Sequence, residues 1–503
     1  MPPHRLDSHR PYPLFDAAAT RRMEQAFADA PLMQRAGLAV AHLALALAPH
    51  ARTIWIACGP GNNGGDGLEA AAHLRLWGRR PIVTWLGDAG ALPSGPGGDG
   101  LRRALQRAQQ AQVEFAAQPP AHLDATCDLC IDALLGLGAT RAPEGRMAQW
   151  LQHMRHLATP VLAVDLPTGL DADTGQWLQA SATPDDSPNP GAPAPQRRQH
   201  TLALLTLKPG LFTLHGRDAC GTLWFDDLGT DTCANAPAGA EPVAWLNAPP
   251  LLPARPHASH KGDWGDVAVI GGARDAACGL NMAGAAWLAA SAALHGGAGR
   301  VWVTLLGDDG APAAAAIPPV NLAQPELMAR RLDTLELPRL TVVCGCGGGQ
   351  PVCATLPQLL RAAPRMVLDA DALNAIAQDA ALQRALRQRT QRAQTTILTP
   401  HPLEAARLLG CTTAQIQADR LAAARALARQ FEATAILKGS GTIIAAPDHT
   451  PRINPTGNAR LAIPGAGDAL AGLLGAHLAA GCSPWDAACL AVWQHGRVAD
   501  QWP

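Results

Sequence analysis

Three stretches of this chain crowd glycine against acid and amide side chains in a way suited to handling anions. In "GPGNNGGDGLEAA", Gly59 to Ala71, five glycines, two asparagines and an aspartate follow the apolar run "RTIWIAC". Neither the Gly-Lys-Ser/Thr of a P-loop nor a usable G-x-G-x-x-G is present. Glycines placed after a strand let backbone N–H groups approach an anion at a helix N-terminus, and Asn62, Asn63 and Asp66 add side-chain donors and acceptors. With no lysine among them, phosphates would be bound here rather than transferred. Two more acids end apolar runs: Asp132 in "CIDALLGLGATRAPEG", ahead of the loop Gly136 to Ala142, and Asp165 in "VLAVDLPTGLDADTG", with Thr168 just beyond. Three converging loops carrying Asp66, Asp132 and Asp165 would form a site able to hold a cation or exchange protons.

Near the C-terminus, "IPGAGDALAGLLGAHLAA" puts Gly465, Gly467 and Asp468 before a run of small helix-forming residues. Backbone N–H groups there would make an anion hole backed by the helix dipole. An aspartate so placed can take a hydroxyl proton while the hole stabilises a phosphoryl group in transfer; a tight turn with a helix cap is the plainer reading. "ILKGSGTII", with Lys438 to Thr442, is a second loop of nucleotide-binding type, and the two together suggest a ribokinase-like fold. Of 40 Lys and Arg residues only Lys208, Lys261 and Lys438 are lysine, so these three are expected where a compact ammonium cannot be exchanged for a planar guanidinium. Cys127 and Cys130 form a C-x-x-C without a second pair or suitably spaced histidines, and are read as packing residues.

The elements that must position these groups alternate between β-rich apolar runs and Ala/Leu-rich helical stretches, the pattern of parallel sheets with helices on both faces. Expected strands are 53–58, 81–86, 128–134, 160–165 and 201–207, then 265–270, 299–306, 340–344, 365–369, 395–399, 433–438 and 441–446, with a helix from about Leu68. "SATPDDSPNPGAPAPQRRQH", 181–200, reads as a disordered insertion, and "NAPPLLPARP", 247–256, as a linker between an N-terminal α/β domain, 1–246, and a different one, 257–503. A chain of 503 residues, 48% hydrophobic and 16% charged, can bury two sizeable cores. A net charge of −1 gives no electrostatic reason to expect nucleic acid or an anionic membrane. No apolar run approaches the roughly 18 residues of a bilayer span, the start lacks a signal-peptide centre, and the twelve cysteines read as reduced core residues. A cytoplasmic location and a homo-oligomer are expected.

"PLMQRAGLAVAHL", "GPGNNGGDGL", "DALLGLGATR", "VDLPTGLDADTG" and "LKPGL", in that order, resemble the NAD(P)H-hydrate epimerase family over about residues 14–245. The resemblance implies a Rossmann-like fold and interconversion of the R and S epimers of hydrated NADH or NADPH. It implies that Asn62, Asn63, Gly64, Gly65 and Asp66, with Gly136, Leu137, Gly138, Ala139, Thr140, Arg141 and Ala142, line the hydrated dinucleotide, that Asp165 acts on it, and that Asn63, Asp132 and Thr168 hold potassium. Thr168 stands where the family usually has serine and keeps the hydroxyl.

From about His260 onward, "HKGDWGDVAVIGG", "AGAAWLAASAALHGGAGRVWV", "VCGCGGG", "VLDADALN", "LTPHPLEAARLLG", "KGSGT" and "NPTGNARLAIPGAGDALAG" resemble the ADP-dependent NAD(P)H-hydrate dehydratase family. Carried over by position, Ala285, Gly347 and His401 contact the hydrate, Lys438, Gly439, Ser440, Gly441, Thr442 and Gly467 bind the adenine nucleotide, and Asp468 reaches the hydrate hydroxyl. ADP would be the co-substrate, with magnesium neutralising its phosphates. "VCGCGGG" lacks the Pro and Leu usual between the glycines, and Ile463-Pro464 replaces a small residue and Gly, while the Gly-x-Gly-Asp core is intact. The alternative is a ribokinase-like small-molecule kinase fused to a non-catalytic nucleotide-binding domain.

Overall fold

The computed structural model describes residues 3–89, 96–120, 127–178, 198–232, 234–250, 254–275, 279–307 and 323–502. The chain divides into two compact units, Tyr12–Ala244 with Met1–Asp7, and Trp245–Pro503 with Ser8–Pro11. Asn247, inside the expected linker, is already packed in the second unit, its amide donating to Asn454 Oδ1 and the Cys489 carbonyl. The expected insertion 181–200 lies, as far as Arg197, outside the described residues, and its last two residues already belong to a strand.

In the first unit, helices α1 (Ala17–Ala26) and α2 (Leu32–Leu47) precede β1 (Thr53–Cys58), α3 (Asn62–Leu76), β2 (Arg80–Trp85), α4 (Pro96–Gln110), β3 (Glu114–Phe115), β4 (Leu129–Ala133), α5 (Gly145–His156), β5 (Val161–Val164), β6 (Gln199–Leu204) and β7 (Thr222–Asp226). The sheet order is β7-β6-β5-β4-β1-β2-β3, all parallel, with His4–Arg5 antiparallel on the β7 edge. Successive strand side chains point to opposite faces. Thus Ile54 and Ile56 join a core with α2 and α3, while Trp55 and Ala57 join one with Trp150 and Met154 of α5. Both faces are apolar, so both need a helical layer. From β1 the chain runs outward to β2 and β3, then returns to β4 on the other side. Ligands bind beyond strand C-termini at such a reversal.

The second unit repeats the principle with different connections. Its strands are β8 (Asp266–Gly271), β9 (Arg300–Leu305), β10 (Thr341–Cys344), β11 (Arg365–Leu368), β12 (Thr395–Leu398), β13 (Thr434–Leu437), β14 (Ile443–Ala446) and β15 (His449–Ile453). They pair in the order β9-β8-β10-β11-β12-β13-β14-β15, parallel up to β13 and antiparallel thereafter. The reversal lies between β8 and β10. Helices used below are α6 (Ala283–His295), α7 (Ala370–Gln378), α8 (Pro402–Leu409), α9 (Arg420–Phe431), α10 (Ala466–Ala479) and α11 (Pro484–Gln501). Both units are therefore α/β with a largely parallel sheet, as the alternation requires. No helix among the described residues is long and apolar enough to cross a membrane.

Candidate active sites

α3 begins at Asn62, well before the expected start at Leu68. Most of the presumed loop is the first turns of a helix. Glycine inside a helix costs about 1 kcal/mol against alanine, and tight packing explains why it is there. A Cβ on Gly64 would stand 2.0 Å from the Gly59 carbonyl oxygen, and one on Gly67 2.7 Å from Ala133 Cβ and 2.8 Å from Cys58 Sγ. The helix thus lies directly on the ends of β1 and β4, and its N-terminus opens into a cleft of about 640 Å³. Asn62, Asn63, Asp66, Gly136, Leu137, Gly138, Ala139 and Asp165 line that cleft with Glu24 and Lys208. Gly64 and Gly65 are buried behind it, and Thr140 and Arg141 are exposed to solvent.

Asp165 follows β5 with φ +67°, a backbone state that non-glycine residues rarely adopt. Lys208, 1% exposed, fixes the side chain: its ammonium donates to Asp165 Oδ1 and to the Leu204 carbonyl, the latter at 2.8 Å. Burial pushes the Asp66 carboxyl well above its ordinary range, the charges of Asp165 and Glu24 add to this, and Lys208 opposes it. The cleft therefore presents an acid whose burial favours its neutral form, near a lysine-bound carboxylate. Behind its wall, Thr168 donates its hydroxyl to Asp132 Oδ1 at 2.7 Å and its backbone N–H to Oδ2 at 3.1 Å. The Asn63 amide nitrogen, in the first turn of α3, is buried with no partner among the described residues. Cys127 and Cys130 are both buried, with Cys127 Sγ donating to the Leu129 carbonyl, in keeping with packing.

In the second unit the polar groups stand just beyond strand C-termini: Cys346 after β10, Asp369 after β11, Thr399 after β12 and Lys438 after β13. Asp369, 2% exposed, accepts from Lys438 Nζ at 2.6 Å and from the Thr399 hydroxyl at 2.7 Å, both on Oδ1. Burial would lower the Lys438 ammonium, but the charges of Asp369 and Glu404 outweigh it and the net shift is upward. Lys438 thus anchors Asp369, and the exposed backbone of Gly439 and Ser440 is the face its loop offers. Arg420, at the start of α9, is 2% exposed and donates to the Leu437, Lys438 and Gly441 carbonyls, pinning that loop from below.

Asp468 sits in the first turn of α10, whose cap is Gly465 at φ +90° with no side-chain cap bond. The simple helix-cap reading of Asp468 does not hold. Burial and then the nearby Asp369 charge raise its carboxyl to about 6, against a lowering hydrogen bond from Cys346. Gly467 is close by, a Cβ there being 3.4 Å from Lys438 Nζ. Gly347 meets α6, since a Cβ on it would stand 2.9 Å from Ala285 Cβ. His401 caps α8 through Nδ1, which accepts from the Leu403 and Glu404 N–H groups, while Glu404 Oε2 accepts from the His401 N–H at 2.8 Å. Its ring is half-exposed, and burial with the Lys438 charge lowers its basicity.

Two family descriptions match this chain: "YjeF-related protein N-terminus" over residues 29–210 and "NAD(P)H-hydrate dehydratase" over 267–503. The bifunctional NAD(P)H-hydrate repair enzyme of Escherichia coli is 35% identical over 97% of this chain and 90% of its own length. The chain belongs to the bifunctional NAD(P)H-hydrate repair enzymes. The ADP-dependent (S)-NAD(P)H-hydrate dehydratase of Neisseria meningitidis is 42% identical over 51% of this chain and 83% of its own length. Among solved structures, the ADP/ATP-dependent NAD(P)H-hydrate dehydratase of Bacillus subtilis, co-crystallised with ATP and Mg2+, is 31% identical over 50% of this chain and 85% of that one, with a TM-score of 0.42.

Within this repair-enzyme chain, site membership was partly missed from sequence. Lys208 and Lys438 are marked by their rarity and Asp165 by its place at a strand end, but the partner of Lys438 is not marked. Asp369 lay inside the quoted "VLDADALN" without a role. Arg420 carries no signal in a chain where arginine is the ordinary cation.

Proposed function

We propose that the first site epimerises hydrated NADH and NADPH and that the second dehydrates the S epimer at the expense of ADP. Adding water to an enamine puts the hydroxyl on the carbon bonded to the ring nitrogen. Expulsion of that hydroxyl by the nitrogen lone pair leaves a planar iminium carbon, and water returning to the other face gives the other epimer. Asp66, whose burial favours the neutral form, suits donation to the departing hydroxyl. Asp165, oriented by Lys208, suits removal of a proton from the returning water.

Potassium suits the donor types of Asn63, Asp132 and Thr168. Asp132 and Thr168 supply oxygen donors, and the partnerless Asn63 amide, turned end for end, would add a third. Asn63, Asp132 and Thr168 would hold it, and its charge would offset an acidic wall. Among the described residues the one group of three His, Cys, Asp or Glu side chains close enough to share an ion is Cys346, Asp369 and Asp468. It does not suit magnesium: a thiol is a poor donor to a hard cation, and Asp369 Oδ1 is taken by Lys438 and Thr399. Magnesium would arrive on the nucleotide.

For dehydration the observation that carries the reading is Asp468, a carboxyl raised to about 6 in the first turn of the helix that Gly465 caps. Hydroxide leaves poorly and phosphate leaves well. Asp468 takes the proton of the hydrate hydroxyl, whose oxygen attacks the terminal phosphorus of ADP and displaces AMP. The ring nitrogen then expels phosphate, and loss of a proton from the adjacent carbon restores the double bond. Hydrate and ADP become NAD(P)H, AMP and phosphate. The test is to incubate the S hydrate with ADP and magnesium and to assay the products. Reduced nicotinamide, AMP and phosphate in equal amounts support the reading; a stable phosphorylated hydrate would make the second unit a small-molecule kinase instead.

A further inference from the structure

We infer that Cys346 is a positioning residue for Asp468, its thiol holding the carboxylate of the base in its working orientation. Resting on the dehydratase reading above, this assigns a role to a side chain in one of the places where "VCGCGGG" departs from the family pattern. Cys346 is the only residue between Gly345 and Gly349 that bears a side chain, and the turn fixes where that side chain points. Gly345 has φ +113°, and a Cβ on it would stand 2.0 Å from the Asp369 carbonyl oxygen. Gly347 has φ +57° and packs on Ala285 and Met282. The Cys346 carbonyl accepts from Gly272 N–H at 2.9 Å, and Gly348 N–H closes the turn onto the Gly345 carbonyl at 2.9 Å. Backbone held on both sides sends Sγ, 0% exposed, into a cluster in which it and one carboxylate oxygen each of Asp369 and Asp468 lie within 4.8 Å of one another.

There the thiol lies within 4.8 Å of an Asp468 carboxylate oxygen, where it can present its S–H to that group. Burial and the charges of Asp369 and Asp468 push the thiol well above its ordinary range, so it stays protonated and acts as a donor. A donor to the ionised form of a carboxylate favours that form. Asp468 is faced also by Asp369 and Asp371 from the end of β11 and the start of α7, and by Lys438 from the end of β13. His401 and Glu404 of α8 lie beyond Lys438, and His495 of α11 meets Ala466 at the start of α10. In that setting the two aspartates oppose ionisation of the base, while Lys438 and the thiol favour it.

The experiment compares kcat/KM for the S hydrate, with ADP, between about pH 5 and 9 for the wild type, Cys346→Ala and Cys346→Ser. Loss of the donor should move the acid limb upward by roughly 0.5–1 unit, a loss of roughly three- to tenfold below the limb that closes toward alkaline pH. Cys346→Ser, which keeps a donor, should restore most of the wild-type profile, with KM for ADP unchanged throughout. A uniform loss at every pH, or a serine variant no better than alanine, would make Cys346 a packing residue and overturn the proposal. A wild type that leaves the hydrate untouched would overturn the functional reading. Even then, 13C titration of the Asp468 carboxyl, identified by its disappearance in Asp468→Asn, tests the contact directly: an identical midpoint in wild type and Cys346→Ala would overturn the positioning role alone.

Discussion

At the residue scale, each site pairs an acid shifted upward with a carboxylate tied to one of the chain's three lysines: Asp66 with Asp165–Lys208, and Asp468 with Asp369–Lys438. Lys208→Met would leave Asp165 in a strained backbone state without its buried counter-charge. Epimerisation should fall by at least about 10²-fold, while S-hydrate dehydration stays near wild type; an epimerase assay showing less than a tenfold loss would remove Lys208 from the site. Asp468→Asn should cut dehydration by about 10²–10⁴-fold and leave calorimetric ADP affinity equal or tighter, since a negative charge beside polyphosphate is removed. Because the base must be ionised, and burial with Asp369 raises its carboxyl to about 6, dehydration should be full above that pH and fail as the pH drops through it. A flat profile between about pH 5 and 8 would contradict the assignment.

At the scale of elements, the expected strands end within a residue of the observed ones, except that 201–207 already ends at Leu204 in β6, and the start of helix in a glycine-rich segment is less legible. Strands buried on both faces read as uninterrupted apolar runs, so 53–58 and 365–369 coincide with β1 and, but for one residue, β11. β15, "HTPRI", was missed because it carries polar residues and a proline. The start of α3 was missed because glycines favour loops unless close packing demands them, and the packing of Gly64 on the Gly59 carbonyl and of Gly67 on Ala133 and Cys58 exists only in the folded chain. Gly64→Ala should therefore force α3 off the Gly59 carbonyl, destabilising the first unit by roughly 1–3 kcal/mol and lowering epimerase activity. Thermal unfolding equal to wild type would show that the helix start can shift freely. The strand expected at 441 starts at Ile443, because Gly441 belongs to the loop that Arg420 holds. Arg420→Ala should raise KM for ADP by about tenfold, as lost charged hydrogen bonds loosen that loop; an unchanged KM would leave Arg420 a purely structural cation.

At the scale of the whole molecule, two α/β units built on the same rule, a strand-order reversal with glycine turns beyond strand C-termini, carry two different sets of acids. The motif order revealed both activities, while the pairings Lys208–Asp165 and Lys438–Asp369 join residues far apart in sequence and needed the fold. Joining the activities in one chain has a chemical reason: the dehydratase accepts one epimer, and the epimerase keeps it supplied. The most direct test starts from a mixture of R and S hydrates with excess ADP and magnesium and follows reduced nicotinamide to completion in the wild type and in Asp165→Asn. The account predicts that the wild type converts the whole mixture. Asp165→Asn should begin at the wild-type rate and stop when the S fraction is spent. Complete conversion by Asp165→Asn at the wild-type rate, or loss of the initial S-hydrate phase in a folded Asp165→Asn protein, would contradict the assignment of two separate sites.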